Sequence, residues 1–397
     1  MLQIDENRLE KYLAAFVGLM ACVLRISSAM ASFSCGIAIL LGLIFWYKYK
    51  ENISLSEEIK GYMKAYAVFL LLLIPSIVFS DDPADSIKAF FQTWIWRYSV
   101  FVLIVFFINR REYLTNMLTA FLTVSSVECL FTFIQVMNMS TNGRGAGFDR
   151  NVLTLGGIMC MLLPVAMVIL MDPRFEKKLK RAASFTVVSV IIGLLFNKSR
   201  GAWLTEMLVV PIATFRYLKH NKRCMLAVVA VFLGVLGFML SSPHYVQRIR
   251  SITNITTDRS NRDRILVWKS ARKMVRDHPV TGVGMERFRQ HYKKYRYKQE
   301  KQRLGHTHNN FIHVAVENGI VGLAGLLYFL GYYLYISFRN YCKNNNPYDI
   351  LVFTTCLGYI CIFGQIDHTL GISTGMRMMW FLHAVLLQLK ETEVSGL

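Results

Sequence analysis

The sequence predicts an all-α polytopic membrane protein with about twelve transmembrane helices. Three observations carry that prediction. The 397 residues are 54% hydrophobic and only 18% charged, less charge than soluble domains carry. Apolar runs of about 20 residues, the length that crosses a bilayer, recur along the whole chain. Short basic connections alternate with connections poor in Lys and Arg, the pattern of helices that thread back and forth under the positive-inside rule.

The spans are expected near residues 10–25, 29–47, 62–80, 88–108, 113–137, 151–172, 181–197, 201–217, 224–241, 311–338, 349–366 and 370–389. The first and eighth are short and the tenth is long. The first lacks a small-residue cleavage site and reads as a retained helix, not a signal peptide. The connections "KYKENISLSEEIKGYMK", "NRREY", "MDPRFEKKLKR", "RYLKHNKR" and "FRNYCKNN" are basic and therefore cytoplasmic. "SDDPADS" and "QIDHTLGIST" fall on the opposite side. An even number of spans leaves both termini in the cytoplasm. Two outer connections, "NGRGAGFDRN" and "NKSRGA", hold arginines where the rule does not ask for them. The eight cysteines show no metal-ligand spacing and lie in apolar runs or short connections, so disulfides are not expected to matter.

The chain reads as a single membrane domain, residues 1–397, without internal repeats. One outer loop, residues 242–310, is inserted between spans nine and ten. It holds 17 Lys/Arg against five Asp/Glu, most of the net +20 of the chain. Long loops translocate regardless of charge, so this surplus is an outward basic surface suited to phosphates, not a topology signal. Two amphipathic helices are expected in it, separated by "HPVTGVG". Ile265, Trp268, Ala271 and Val275 mark the apolar face of the first, and Phe288, Tyr292 and Tyr295 that of the second. They are expected to lie along the outer membrane surface over a cavity.

The stretch "GHTHNNFIHVAVENGIVGL", residues 305–323, puts three histidines at the mouth of span ten. Histidine titrates near neutrality and can serve as a general base, or simply cap a helix start. Helical spacing puts His308 with Ile312 and Ala315. His313 and Glu317 form an i, i+4 pair on another face, so the three histidines need not converge and His313 is expected to be dispensable. Arg200 in "FNKSRGAW", Arg264 in "RDRILVW", and Arg144 and Arg150 in "GRGAGFDRN" gather at the outer level. Arginine binds phosphate oxygens in bidentate fashion and keeps its charge, so such a group suits a pyrophosphate. Glycines 143, 145, 147 and 201 would let a ligand approach the backbone. Arg97 and Glu128 lie inside spans, where charges need a partner or a cavity. They are expected to pair with each other or to meet substrate. No metal is expected: "HTH" stands without CxxC, HExxH or paired acids, and the basic loop repels cations. Neither GxSxG nor GxxxxGK[ST] occurs, so no serine nucleophile or ATP site is expected.

These residues resemble a known family. His308, Asn309 and, after nine further residues, Gly319 match the signature of the O-antigen ligase/polymerase superfamily. "RILVWKSARKMVRDHPVTGVGMERF" is similar to its Arg-x-x-x-Trp helix followed by Pro-x-x-Gly-x-Gly, and "SRGAW" to its arginine motif. "FDRN" at 148–151 departs from the usual Pro-Asn ending. The ligases are the members it resembles most. The resemblance implies a GT-C-type glycosyltransferase fold in the bacterial inner membrane with its active site facing the periplasm. It implies transfer of a glycan from undecaprenyl pyrophosphate to the lipid A-core oligosaccharide, inverting and without metal or other cofactor. Carried over, His308 is the base, Arg200 and Arg264 hold pyrophosphate, and His306, Asn309, Arg144 and Arg150 contact substrate, with Arg97 as a further candidate. Membrane lipids are expected partners and nucleic acid is not. An O-antigen polymerase, an O-linked protein glycosyltransferase and, from another class, a transporter of lipid-linked sugar remain open alternatives. A transporter would show inverted repeats and helices broken at the midplane, which are not evident here.

Overall fold

A computed structural model describes residues 5–138, 143–254, 258–298 and 305–395. Among them the ordered elements are helices only: α1 (Glu6–Val23), α2 (Ser28–Tyr49), α3 (Glu57–Val78), α4 (Pro83–Phe90), α5 (Trp96–Phe107), α6 (Arg111–Met137), α7 (Val152–Met171) and α8 (Lys177–Asn197). They continue with α9 (Arg200–His220), α10 (Lys222–Ser241), α11 (Pro243–Thr253), α12 (Arg259–Asp277), α13 (Phe288–Tyr295), α14 (Asn310–Asn344), α15 (Pro347–Cys356) and α16 (Ser373–Ser395). Each expected span coincides with a helix, α4 and α5 forming one. Nine helical segments among the described residues are long and apolar enough to cross a membrane. The protein is an all-helical polytopic membrane protein. The helices α1, α9 and α16 fall outside the nine. Their charges sit where partners or helix ends accept them: in α16, Lys390 reaches Asp349 of α15 at 2.7 Å.

The bundle has a clear centre and edge. In its most apolar window α7 is 89% buried, whereas α10 is only 6% buried and stands at the periphery. Around α7 pack α8, α9 and α15. The starts of α7, α9, α14 and α16 and the ends of α8 and α15 meet at one end of the bundle, as alternating helices require. Two helices reach that end through π-helical turns, Phe91–Ile95 before α5 and Leu357–Ile362 after α15. Such turns rotate the residues that follow and frequently accompany functional sites. Here they precede Arg97 and the segment 366–372.

Two expectations about buried charge are corrected. Glu128 pairs with Arg25 at 2.9 Å, not with Arg97, and Arg25 also bonds Asp149. Glu128 additionally accepts the Phe148 amide at 2.9 Å. This buried pair ties the loop after α6 to the bundle. Arg97 instead donates to the Leu370 carbonyl at 2.6 Å.

Among its described residues the segment 242–310 contains three helices, not two. Its α11 was hidden by a sequence with few apolar residues, "PHYVQRIRSIT". The buried face of α12 is also rotated from expectation. Val267, Ala271 and Met274 form a small core with Val283, Phe288, Tyr292 and Val316 of α14, and Trp268 and Val275 lie at its edge. The loop helices therefore bury their apolar faces on the start of α14 and not in lipid. The connection after α12 fastens them there. At Gly319 (φ 62°, ψ −165°) α14 is broken. The groups freed by the break are taken up by that connection: the Val283 and Gly284 amides donate to Val316 and Glu317 carbonyls at 2.9 and 3.0 Å, and the Ile320 amide donates to the Pro279 carbonyl at 2.9 Å. A Cβ on Gly319 would lie 2.1 Å from the Val280 carbonyl oxygen, and one on Gly282 2.4 Å from the Glu317 backbone. This is why "PVTGVG" and Gly319 lack side chains at those positions. The clasp couples the helix that carries Arg264 to the helix that begins after His308.

Candidate active site

Four arginines line one cavity of about 200 Å³ at the end of the bundle where these termini meet. Arg200 opens α9, Arg248 comes from α11, Arg264 from the first turns of α12, and Arg144 from the loop before α7. Apolar Leu153, Leu204 and Ile366 complete part of the wall. Arg200 is held in place by the Ser251 carbonyl and hydroxyl, both at 2.7 Å, and by Asp258 at 3.2 Å. Arg264 donates to the Ser260 hydroxyl at 3.1 Å, while its Nε, though buried, has no partner among the described residues. Arg144 donates to the Asn197 carbonyl at 3.1 Å. Burial, and then the charges of Arg248, Arg200 and Arg264, push Arg144 down to about 10. Burial and like charges lower Arg248 and Arg264 as well, with Asp367 opposing the shift at Arg264. A guanidinium keeps its charge in proteins. Like charges repel one another, so the cavity suits an anion.

Beside it lies the turn Gly305–Asn309. His308 does not belong to α14: it precedes the helix with φ 52°, in the left-handed region. For a histidine that conformation costs about 1–2 kcal/mol. It is held by a bond from the Thr307 hydroxyl to the Asn309 carbonyl (2.8 Å), and by the His308 amide donating to His306 Nδ1 (3.2 Å). Trp268 Nε1 of α12 donates to the Thr307 carbonyl at 2.9 Å, which anchors the arginine helix to the same turn. His308 Nδ1 lies 3.0 Å from Asp367 Oδ1. Burial pulls the Asp367 carboxyl up, but the bond from His308, the neighbouring histidines and the His368 amide hold it below the usual range. With Nδ1 donating to that carboxylate, His308 presents Nε2 as an acceptor. Ile366 lines the cavity and Asp367 follows it, so the dyad and the arginines adjoin.

The sequence profile of the O-antigen ligase family matches residues 185–327. An O-antigen ligase of Salmonella typhimurium is 23% identical over 340 residues, covering 79% of this chain and 81% of that protein. An uncharacterized protein of Haemophilus influenzae is 22% identical over 349 residues, 82% of each chain. Over residues 185–327 the chain is similar to the O-antigen ligase family. The matched part of the chain holds Arg200, Arg248, Arg264, His306 and His308, whereas Arg144, Asp367 and His368 lie outside it.

The remaining candidates fare differently. Asn309 caps α14, accepting the Phe311 and Ile312 amides at 2.9 and 3.0 Å, and its own amide donates to Gln365 at 2.8 Å. Both ends of its side chain are engaged by protein. The next residue, Asn310, donates to Thr369 at 2.7 Å and accepts the Leu370 amide at 3.1 Å, fixing the segment that carries Asp367. Arg150 is exposed with φ 57° and is not among the cavity-lining residues. His306 packs on His308, ring centroids 4.2 Å apart. Burial, then its neighbour His308, pushes it down to about 4, so it is neutral at pH 7. Contrary to expectation His313 does converge on the site: its ring lies 3.8 Å from that of His368, which is 5.8 Å from His306. Helical spacing could not reveal this, because His368 bridges the two from a distant segment.

Three functional candidates escaped sequence reading. Asp367 and His368 stand in "QIDHTLGIST", which registered only as a connection poor in Lys and Arg. An Asp-His pair at a helix junction near the membrane interface was the available signal. Arg248 was one of many loop cations, and nothing set it apart before folding. His306, His308 and Asp367 bring potential ligand atoms within 4.8 Å of one another, a spacing that could hold a divalent ion. Two of those atoms already serve each other as His308 Nδ1 and Asp367 Oδ1.

Proposed function

We propose that the protein is a lipopolysaccharide O-antigen ligase. In this reading it transfers a glycan from undecaprenyl pyrophosphate to the lipid A-core oligosaccharide at the periplasmic side of the inner membrane. The observation that carries the proposal is the juxtaposition of a four-arginine cavity with a carboxylate-oriented histidine. Pyrophosphate is a good leaving group once its charge is met, and fixed guanidinium groups meet it without a metal. An acceptor hydroxyl attacks the anomeric carbon as the bond from that carbon to the pyrophosphate oxygen breaks, inverting its configuration. The hydroxyl proton passes to His308 Nε2, and the imidazolium is stabilised by Asp367. Undecaprenyl pyrophosphate leaves with the bonding electron pair, its charge held by Arg144, Arg200, Arg248 and Arg264. The energy comes from the sugar–pyrophosphate bond, so no nucleotide is consumed.

The test is transfer in detergent with purified protein, undecaprenyl pyrophosphate-glycan and rough lipopolysaccharide. Core-linked glycan is expected, and its yield should be unchanged in saturating EDTA. Product on a lipid-linked glycan instead would make the protein a polymerase. Loss of activity in EDTA with recovery on adding a divalent ion would recast the His306–His308–Asp367 trio as ligands.

The sidedness of the proposal rests on loop charge. Gln290 is exposed on α13. A cysteine there should react with an impermeant maleimide in whole cells with a permeabilised outer membrane. Labelling confined to lysed cells would put the basic loop and the site in the cytoplasm.

A further inference from the structure

We propose a second subsite behind the catalytic dyad, built from Arg97, Glu286, His313 and His368, that binds the hydroxyl groups of the acceptor sugar. It deepens the ligase reading and rests on it. Three buried nitrogen atoms there have no hydrogen-bond partner among the described residues: Arg97 Nε, His313 Nδ1 and His368 Nδ1. Unpartnered buried polar atoms are rare, and a cluster of them calls for an explanation.

They converge from separate elements. Arg97 stands two residues beyond one π-helical turn and is tied to the Leu370 carbonyl at 2.6 Å. His313 comes from the first turn of α14 and His368 from the segment after the other π-helical turn, with their rings 3.8 Å apart. Arg97 and His313 are nearly covered, at 8% and 5% exposure, and form a floor. His368 is partly open and Glu286 is exposed, forming a rim. Glu286 sits at φ 57°, a left-handed conformation that a glutamate adopts at a cost, two residues before Phe288, whose ring lies 5.2 Å from that of His313. Next to it the Phe288 amide is pinned by Glu317 at 3.1 Å, which fixes the turn.

The chemistry differs from that of the donor side. The cavity beyond His308 is lined by four cations and suits a dianion. This group combines one guanidinium and one carboxylate with two imidazoles, so it offers both hydrogen-bond donors and acceptors in place of a purely cationic lining. That is the set which recognises a neutral polyhydroxylated sugar ring. His308 lies between the two, through His306 and His368, where a base must stand to take a proton from an acceptor hydroxyl attacking a bound donor.

The experiment uses full-length protein in detergent with rough lipopolysaccharide and a panel of synthetic core acceptors. Each synthetic acceptor lacks one hydroxyl of the terminal sugar. Glu286→Gln and His368→Asn should raise the acceptor KM by roughly tenfold or more and leave donor affinity unchanged, as loss of hydrogen bonds to one substrate alone requires. At least one deoxy acceptor that the unaltered protein uses poorly should be used by one variant no worse than the complete acceptor. The hydroxyl and the side chain are then partners. If the penalties of variant and missing hydroxyl multiply for every acceptor, or if the variants lose donor affinity instead, the subsite is not there. His368→Asn could perturb the Asp367 segment; Glu286, exposed on the rim, keeps the test decisive. Should the unaltered protein form no core-linked glycan, the ligase reading falls first and this one with it.

Discussion

His308→Ala should give a protein that still binds donor lipid but no longer transfers its glycan. General-base catalysis contributes roughly 10²–10⁴-fold, and removing the imidazole takes away that factor but little binding surface. Donor affinity and single-turnover transfer, measured on the same preparation, separate the two. Asp367→Asn should lose a comparable share with its imidazole still present. The amide no longer favours the tautomer with a proton on Nδ1, so Nε2 is less available as acceptor. Near-normal turnover in His308→Ala would end its assignment as base even though the similarity to the O-antigen ligases stands.

The arginine variants should fail differently. Arg264→Ala and Arg200→Ala should weaken donor binding as well as rate. Each charge-assisted bond to a phosphate is worth about 1.5–3 kcal/mol, roughly 10- to 150-fold. The larger loss is expected at Arg264, whose buried Nε has no protein partner, because Arg200 already shares its guanidinium with Ser251 and Asp258. Lysine at either position should restore only part, since it keeps the charge but loses the planar fork. Donor titration with the four proteins reads the effect directly. If both alanine variants bound donor normally and lost no rate, the cavity would not be the pyrophosphate site.

The sequence alone determined the parts of this protein that depend on local composition. Apolar length and the alternation of loop charge placed the spans, because the bilayer imposes one period and one sign rule along the chain. Arg144, Arg200, Arg264 and His308 were legible because charge and imidazole at a membrane interface are costly unless used. Only the tertiary structure decided which of them meet. It left Arg150 outside, gave Asn309 to a helix cap, and turned Glu128 to Arg25. It supplied Asp367, 59 residues beyond His308, and Arg248 from an unremarked helix. It also brought His313 into the site through His368 against the prediction of helical spacing. The physical reason is common to all of these. Periodicity fixes the face a residue takes on its own helix. Which face another helix presents to it depends on π-helical turns, a helix broken at Gly319 and loop bonds between distant residues, and none of these leaves a periodic mark in the chain.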